Sequence, residues 1–201
     1  MNYIIKQVDG APNWDTIESI SISKYNWGGK YRPNASAKLC YIKQDGFSLQ
    51  ISCEESNPKS VYFHNDEPVY KDSCLEFFVN FKPQTDGSGY LNFEGNANGA
   101  LLCGYGPTKN SRNFLKDLKI SPPRVKSLRE NNLWGYELFI PLSLIQKVYG
   151  NLSFETGVIL KGNFFKCGDE TELPHYGSWT KINHPTPNFH LPEFFGTLEM
   201  G

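Results

Sequence analysis

Asp72-Ser73-Cys74-Leu75-Glu76-Phe77-Phe78-Val79 and, one turn-rich gap later, Tyr90-Leu91-Asn92-Phe93-Glu94-Gly95-Asn96 carry the pattern that decides the fold. In the first, Leu75, Phe77 and Val79 alternate with Cys74, Glu76 and Phe78; in the second, Leu91 and Phe93 alternate with Asn92, Glu94 and Asn96. A period of two puts successive side chains on opposite faces of a strand. Glu76 and the amide-and-acid row therefore share the face turned away from the core.

The same period recurs along the chain. Phe47, Leu49, Ile51 and Cys53 alternate with polar residues, Trp134, Tyr136, Leu138 and Ile140 share one face, and Val158, Leu160, Gly162 and Phe164 another. One helix interrupts the run. Pro141 suits a first turn because its missing N–H would be unpaired there, Gly150 suits the end, and Leu142, Leu144, Ile145 and Val148 point inward between them. Many short strands and one brief helix predict an all-β protein, an antiparallel β-sandwich of jelly-roll or immunoglobulin-like topology. No linker or repeat divides it, so residues 1–201 form a single domain with a packed inner face and a partly solvated outer one.

Composition agrees and excludes other classes. A chain of 201 residues buries about 70% of the surface its unfolded form exposes and needs no staples. Phe, Tyr and Trp number 14, 11 and 4, with 18 Gly and 13 Pro, which favours strands and turns. Twenty basic against 21 acidic residues argue against a nucleic-acid or polybasic membrane partner. Cys40, Cys53, Cys74, Cys103 and Cys167 have no CxxC spacing and read as small buried side chains. No signal peptide is visible; the chain reads as cytoplasmic as it stands, and as secreted or periplasmic if a leader was removed.

The polar row suits a saccharide. Rings cover the C–H faces of a sugar, while acids and amides pair with its hydroxyls. The same row also suits a plain solvated sheet face, and pattern alone does not separate the two. Cys167, Asp169 and His175 lack the paired spacing of a metal site, so Asp169 is expected at a turn and His175 near the sugar face. His64, His184 and His190 are expected in loops, and the four tryptophans in structural packing.

The order of short motifs adds a resemblance. Asp9-Gly10 with Trp14, Tyr25-Asn26-Trp27, Val69-Tyr70-Lys71-Asp72-Ser73-Cys74-Leu75-Glu76-Phe77-Phe78, Leu133 to Pro141, and Pro192-Glu193-Phe194-Phe195-Gly196-Thr197-Leu198 follow one another nearly end to end. In this the chain resembles carbohydrate-binding module family 9, a β-sandwich group of the DOMON-like superfamily. The resemblance implies two rings sandwiching a glucan or xylan sugar, with polar residues on its hydroxyls. Carried over by position, the rings fall on Tyr70 and Phe189, the acid on Glu76 and a further amide on Asn163. Neither ring is the family's Trp. The family's arginine has no counterpart among Leu91, Asn92 and Glu94, and Arg112 in the next loop is the candidate substitute. No cofactor is required; the resemblance allows structural calcium, with Asp66, Glu67 and Asp72 as oxygen donors.

The expected function is non-catalytic recognition of an oligosaccharide or polysaccharide in polysaccharide catabolism, alongside a partner glycoside hydrolase. One alternative is a glycoside hydrolase of endoxylanase type using Glu76 and Glu94, whose chemistry needs carboxyl groups about 5–5.5 Å or about 6.5–9.5 Å apart. Another is a heme or other small-ligand site, which would need a His pair because Met1 and Met200 are the only methionines.

Overall fold

The computed structural model describes residues 1–201. Its first five strands are β1 (Asn2–Val8), β2 (Ile20–Ile22), β3 (Lys24–Gly28), β4 (Ala35–Ile42) and β5 (Gly46–Glu54). They are followed by β6 (Cys74–Asn80), β7 (Tyr90–Asn96), β8 (Leu101–Gly106) and β9 (Asn113–Phe114). β10 (Val125–Glu130) and β11 (Leu133–Pro141) precede helix α1 (Leu142–Tyr149), and β12 (Ile159–Gly168), β13 (His175–Ser178) and β14 (Gly196–Met200) end the chain. No helix is long and apolar enough to cross a membrane.

The strands run in the order β10-β11-β5-β4-β1-β14-β12-β6-β7-β8-β9, with β2 added to β4 and β3 to β13. β1 is the seam between two sheets. Asn2 to Ile5 pair with β14 and Lys6 to Val8 with β4, so one strand serves both. Both of these pairings are parallel, whereas the other ladders are antiparallel. The sheet is therefore mixed where a purely antiparallel one was expected. A terminal strand can enter parallel because long stretches of chain separate it from both partners.

Between the sheets lies a core of 35 buried residues. Leu75, Phe77, Val79, Leu91 and Phe93 enter it from one side, and Leu49, Ile51, Trp134, Tyr136 and Leu138 from the other. Phe77 stacks on Phe164 with centroids 4.6 Å apart. Helix α1 lies where Pro141 and Gly150 place it, with Pro141 at the N-cap and Gly150 closing the helix at φ 76°. It buries Leu144, Ile145 and Tyr149.

The expected partly solvated outer face is not what β6, β7 and β12 present. All seven residues of β7 are buried, as are Cys74 to Val79. A second apolar cluster covers that face, built from Val69, Phe78, Tyr90, Phe165, Ile182, Phe189 and Phe195 among others. The turn at 69–71 and the segment 179–195 bring these groups across the strands, so polar residues there lie under a roof. Asn163, carried over as a sugar ligand, helps to hold that roof. Its Oδ1 accepts from Thr180 N (3.0 Å) and Phe164 N (2.9 Å), and it lies fully buried.

A buried polar knot joins the sheets at one end. Lys166 Nζ donates to His175 Nε2 (2.6 Å) and lies 3.4 Å from Glu55 Oε2, which also accepts from Trp134 Nε1 (3.0 Å). His175 Nδ1 then carries the proton toward Leu173 O (2.8 Å). Burial and the neighbouring Lys166 push this histidine down to about 4. His175 is thus not near the sugar face: the β12–β13 register pairs it with Gly168, on the Lys166 side of the strand.

Gly95 marks a close approach of the sheets. A Cβ there would lie 2.6 Å from Tyr136 Cε1, and that ring is held by a 2.6 Å hydrogen bond from its hydroxyl to Leu75 O. Gly95→Ala should overpack the core and destabilise the protein by about 1–3 kcal/mol in urea denaturation. A midpoint equal to that of the wild type would mean that the Tyr136 ring is free to move.

Candidate functional site

The outer face of β6, β7 and β12 is read directly from register. Glu76 lies opposite Glu94 on β7 and opposite Phe165 on β12. One row along, Cys74 faces Cys167 and Asn96; in the other direction, Phe78 faces Asn92 and Asn163. Directly opposed side chains of an antiparallel ladder have Cβ atoms about 4.5–5.5 Å apart, so the two carboxyl groups are neighbours.

Above them opens a cavity of about 530 Å³. This lies within the range of small-ligand sites, roughly 300–1,000 Å³. Tyr70, Glu76, Glu94, Arg112 and Phe189 line it together, as do Phe114, Asp169, Tyr176 and His190. Of the residues expected from sequence, five therefore meet in one place. Asn92 lies just beneath, fully buried, and Asn163 lies away under the roof.

Arg112 reaches the cavity from the short segment between β8 and β9, and the glycines of β8 make its path. A Cβ on Gly104 would lie 2.9 Å from Asn92 Oδ1 and 3.2 Å from Asn113 O, filling the space the guanidinium crosses. Arg112 Nη2 donates to Asn92 Oδ1 (2.7 Å), and Asn92 Nδ2 donates to Glu94 Oε1 (2.7 Å). Arg112 Nη1 donates to His190 Nδ1 (2.8 Å), with Tyr90 Oη 2.9 Å from the same nitrogen. Burial and the adjacent Arg112 push His190 down to about 3, which keeps it a neutral acceptor.

The acids behave in the opposite way. Burial raises Glu94 to about 7, against the lowering effect of Arg112 and the Asn92 hydrogen bond. Burial, and then the charge of Glu94, hold Glu76 well above an ordinary carboxyl group. Cys167 Sγ donates to Glu76 Oε1 at 3.0 Å. Near neutral pH Glu76 is held protonated and Glu94 is only partly ionised, so the pair can both donate to and accept from a polyol.

The rings differ in what they offer. Tyr70 is 37% exposed and Phe114 36%, both at the rim. Phe189 is 9% exposed and stacks on Phe165 with centroids 4.2 Å apart, so one of its faces is already covered. Phe114, Tyr176 and His190 were not identified from sequence. Tyr176 is placed by its pairing with Cys167, and Phe114 by its pairing with Gly104, neither of which any local pattern reveals. Asp169 does sit at a turn, on the cavity wall.

Each acid considered for calcium has protein partners. Glu67 Oε2 accepts two backbone N–H groups, Asp72 Oδ2 accepts Val61 N, Tyr62 N and Asn96 Nδ2, and Asp66 pairs with Lys116 at 3.5 Å.

Comparison with known proteins follows the geometry. Residues 6–200 match the family model described as carbohydrate-binding family 9. A crystal structure of a candidate carbohydrate-binding protein from Bacteroides uniformis is 26% identical, covers 100% of this chain and 99% of its own, and superposes with a TM-score of 0.83. A family 9 carbohydrate-binding module from Caldicellulosiruptor kristjanssonii in complex with glucose is 13% identical, covering 100% of this chain and 96% of its own at a TM-score of 0.67. The module from that organism in complex with cellotriose is 14% identical, covering 100% and 93% at 0.66. At those identities the two complexes speak for the fold. No curated protein matches the chain.

The buried acid pair fixes the sign of a pH effect. An unfolded Glu94 releases its proton near pH 4.5 whereas the folded one holds it to about 7, so the native state binds more protons in between. This group's contribution to stability is therefore present below pH 4.5 and is lost as pH rises through 7. Glu94→Gln keeps the acceptor for Asn92 and should raise the melting temperature at pH 8 more than at pH 5. Equal shifts at both pH values would mean that Glu94 titrates normally.

Proposed function

The chain belongs to carbohydrate-binding family 9, and from that premise we propose that the cavity over β6 and β7 takes a mono- or oligosaccharide without cleaving it. One observation carries the proposal: a single cavity gathers exposed rings, a buried acid pair and a buttressed arginine. Tyr70 offers an open ring face to the C–H surface of a sugar. Glu76, Glu94 and Asp169 supply acceptors and, while protonated, donors for hydroxyls. Arg112 supplies the donor fork that the family keeps on a strand, here delivered from the loop beyond Gly104 and Gly106.

Binding of glucose by one family 9 module and of cellotriose by another structure of such a module supports a gluco-configured ligand, and the xylan end expected from the resemblance is the close comparison. A module that binds without turnover serves polysaccharide catabolism by keeping a partner glycoside hydrolase near its substrate. Hydrolysis by Glu76 and Glu94 themselves fits the site poorly. A retaining mechanism needs one carboxyl group ionised as nucleophile. Burial instead raises both, and Glu76 already accepts the Cys167 thiol.

Calorimetry with glucose, cellotriose and xylotriose, alongside a reducing-sugar assay, tests this directly. Binding without sugar release is expected. Tyr70→Ala should weaken it about tenfold, the equivalent of about 1.4 kcal/mol of lost stacking. Phe189→Ala should weaken it less, since that ring is half covered. Unchanged affinity in both variants would remove the saccharide from this cavity, and release abolished by Glu76→Gln would make the protein an enzyme.

A further inference from the structure

A neutral sugar has no use for thiols, yet Cys167 lines its cavity and Cys74 lies beside it. Cys74 and Cys167 are directly opposed in the β6–β12 ladder, both fully buried and both free. The other cysteines sit in ordinary packing: Cys53 and Cys103 belong to the apolar core, and Cys40 meets a backbone carbonyl. Cys74 and Cys167 also belong to an apolar cluster, but they have the Glu76 carboxyl group within reach of both sulfurs. The donor atoms of Cys74, Glu76 and Cys167 all lie within 4.8 Å of one another, with Cys167 Sγ 3.0 Å from Glu76 Oε1. No other triad of Cys, His, Asp or Glu in the chain meets that spacing.

We propose that Cys74, Cys167 and Glu76 form a site for one thiophilic divalent cation of the zinc class, with its fourth position open to the saccharide cavity.

Size and softness support the assignment. Zinc takes sulfur at about 2.3 Å and carboxylate oxygen at about 2.0–2.2 Å, which in a tetrahedron sets donors about 3.5 Å apart. The spacing here brackets that value. Two thiolates exclude calcium and magnesium and select zinc, or cobalt in its place. Three protein donors with one position free is also the arrangement zinc keeps where it meets a ligand. The entry path exists, because Glu76 and Cys167 both line the cavity. Asp169 lines the same cavity. The neighbourhood also has compensating charge, since Lys109 and Arg112 line the same cavity and oppose the excess negative charge of two thiolates and a carboxylate on one divalent ion.

The site goes beyond saccharide binding and does not require it. The test is a cobalt(II) titration of the full chain, reduced with a phosphine and kept free of oxygen. One equivalent should bind with a thiolate-to-cobalt charge-transfer band and the intense visible bands of tetrahedral cobalt, and zinc should displace both. Cys167→Ser and Cys74→Ser should lose the charge-transfer band, and Cys40→Ser should keep it. Because a core serine could disturb folding, each variant's circular dichroism is compared with the wild type, and zinc is expected to raise the melting temperature of the wild type and of Cys40→Ser but not of Cys74→Ser or Cys167→Ser. Absence of the band, its persistence in the Cys74→Ser/Cys167→Ser double variant, or disappearance of both thiols into a disulfide under these conditions would overturn the site. Sugar calorimetry on the same metal-free protein keeps the two readings apart: failed metal uptake with intact sugar binding removes the cation and leaves the saccharide.

Discussion

Two carboxyl groups facing each other across β6 and β7, out of reach of bulk water, set the terms for the rest of the molecule. Glu76 and Glu94 are 2% and 3% exposed, and neither has a cation in salt-bridge contact. Burying an ionised carboxylate without a partner is costly enough that the group keeps its proton instead. The pair is tolerated because each carboxyl group also accepts a hydrogen bond that offsets part of its burial: from Asn92 for Glu94, from the Cys167 thiol for Glu76. Asn92 in turn needs Arg112, and Arg112 needs the smooth track of Gly104 and a neutral His190. A chain of hydrogen bonds thus connects the strand pair to loop residues distant in sequence.

The roof over these strands does two jobs. Phe78, Phe165, Phe189 and Tyr90 stack into a second apolar layer that adds burial to a sheet already packed on its inner face. By leaving a gap above the carboxyl pair, the same layer turns a flat sheet face into a concave one. Asn163 shows how far the layer governs function. It points to the ligand side of β12, yet the segment through Thr180 crosses over it and takes up its carbonyl oxygen. An amide that would meet a sugar on an open sheet becomes a fastener under a covered one.

At the far end of β12 a different compromise holds. Lys166 is buried with Glu55 and a neutral His175, and Glu55 stays below the ordinary carboxyl range because, against its burial, Lys166 and hydrogen bonds from Trp134 and Ser73 favour its charge. Buried ion pairs of this kind add little net stability but are expensive to break, since removing one partner strands the other charge. The knot fastens β11, β12 and β13, and so fixes which face of β12 carries Cys167 and which carries Lys166.

What the sequence determined by itself is the set of local rules. Alternation at Leu75-Glu76-Phe77 and Leu91-Asn92-Phe93-Glu94 assigned strands and faces correctly, because a side-chain period of two needs no knowledge of the partner strand. Pro141 and Gly150 bounded the helix for equally local reasons, a missing N–H and a positive φ. The motif order led to the family, and the residues named with it, Tyr70, Glu76, Arg112 and Phe189, line one cavity. Only the tertiary structure decided which of those side chains reach the cavity. Strand order and register put Glu94 beside Glu76, Cys74 beside Cys167, Tyr176 on the cavity side and His175 on the other. Those pairings join residues up to about a hundred positions apart, and a covering loop reverses the exposure that alternation implies. Neither effect leaves a mark in any short window of sequence, because both arise from what packs on top.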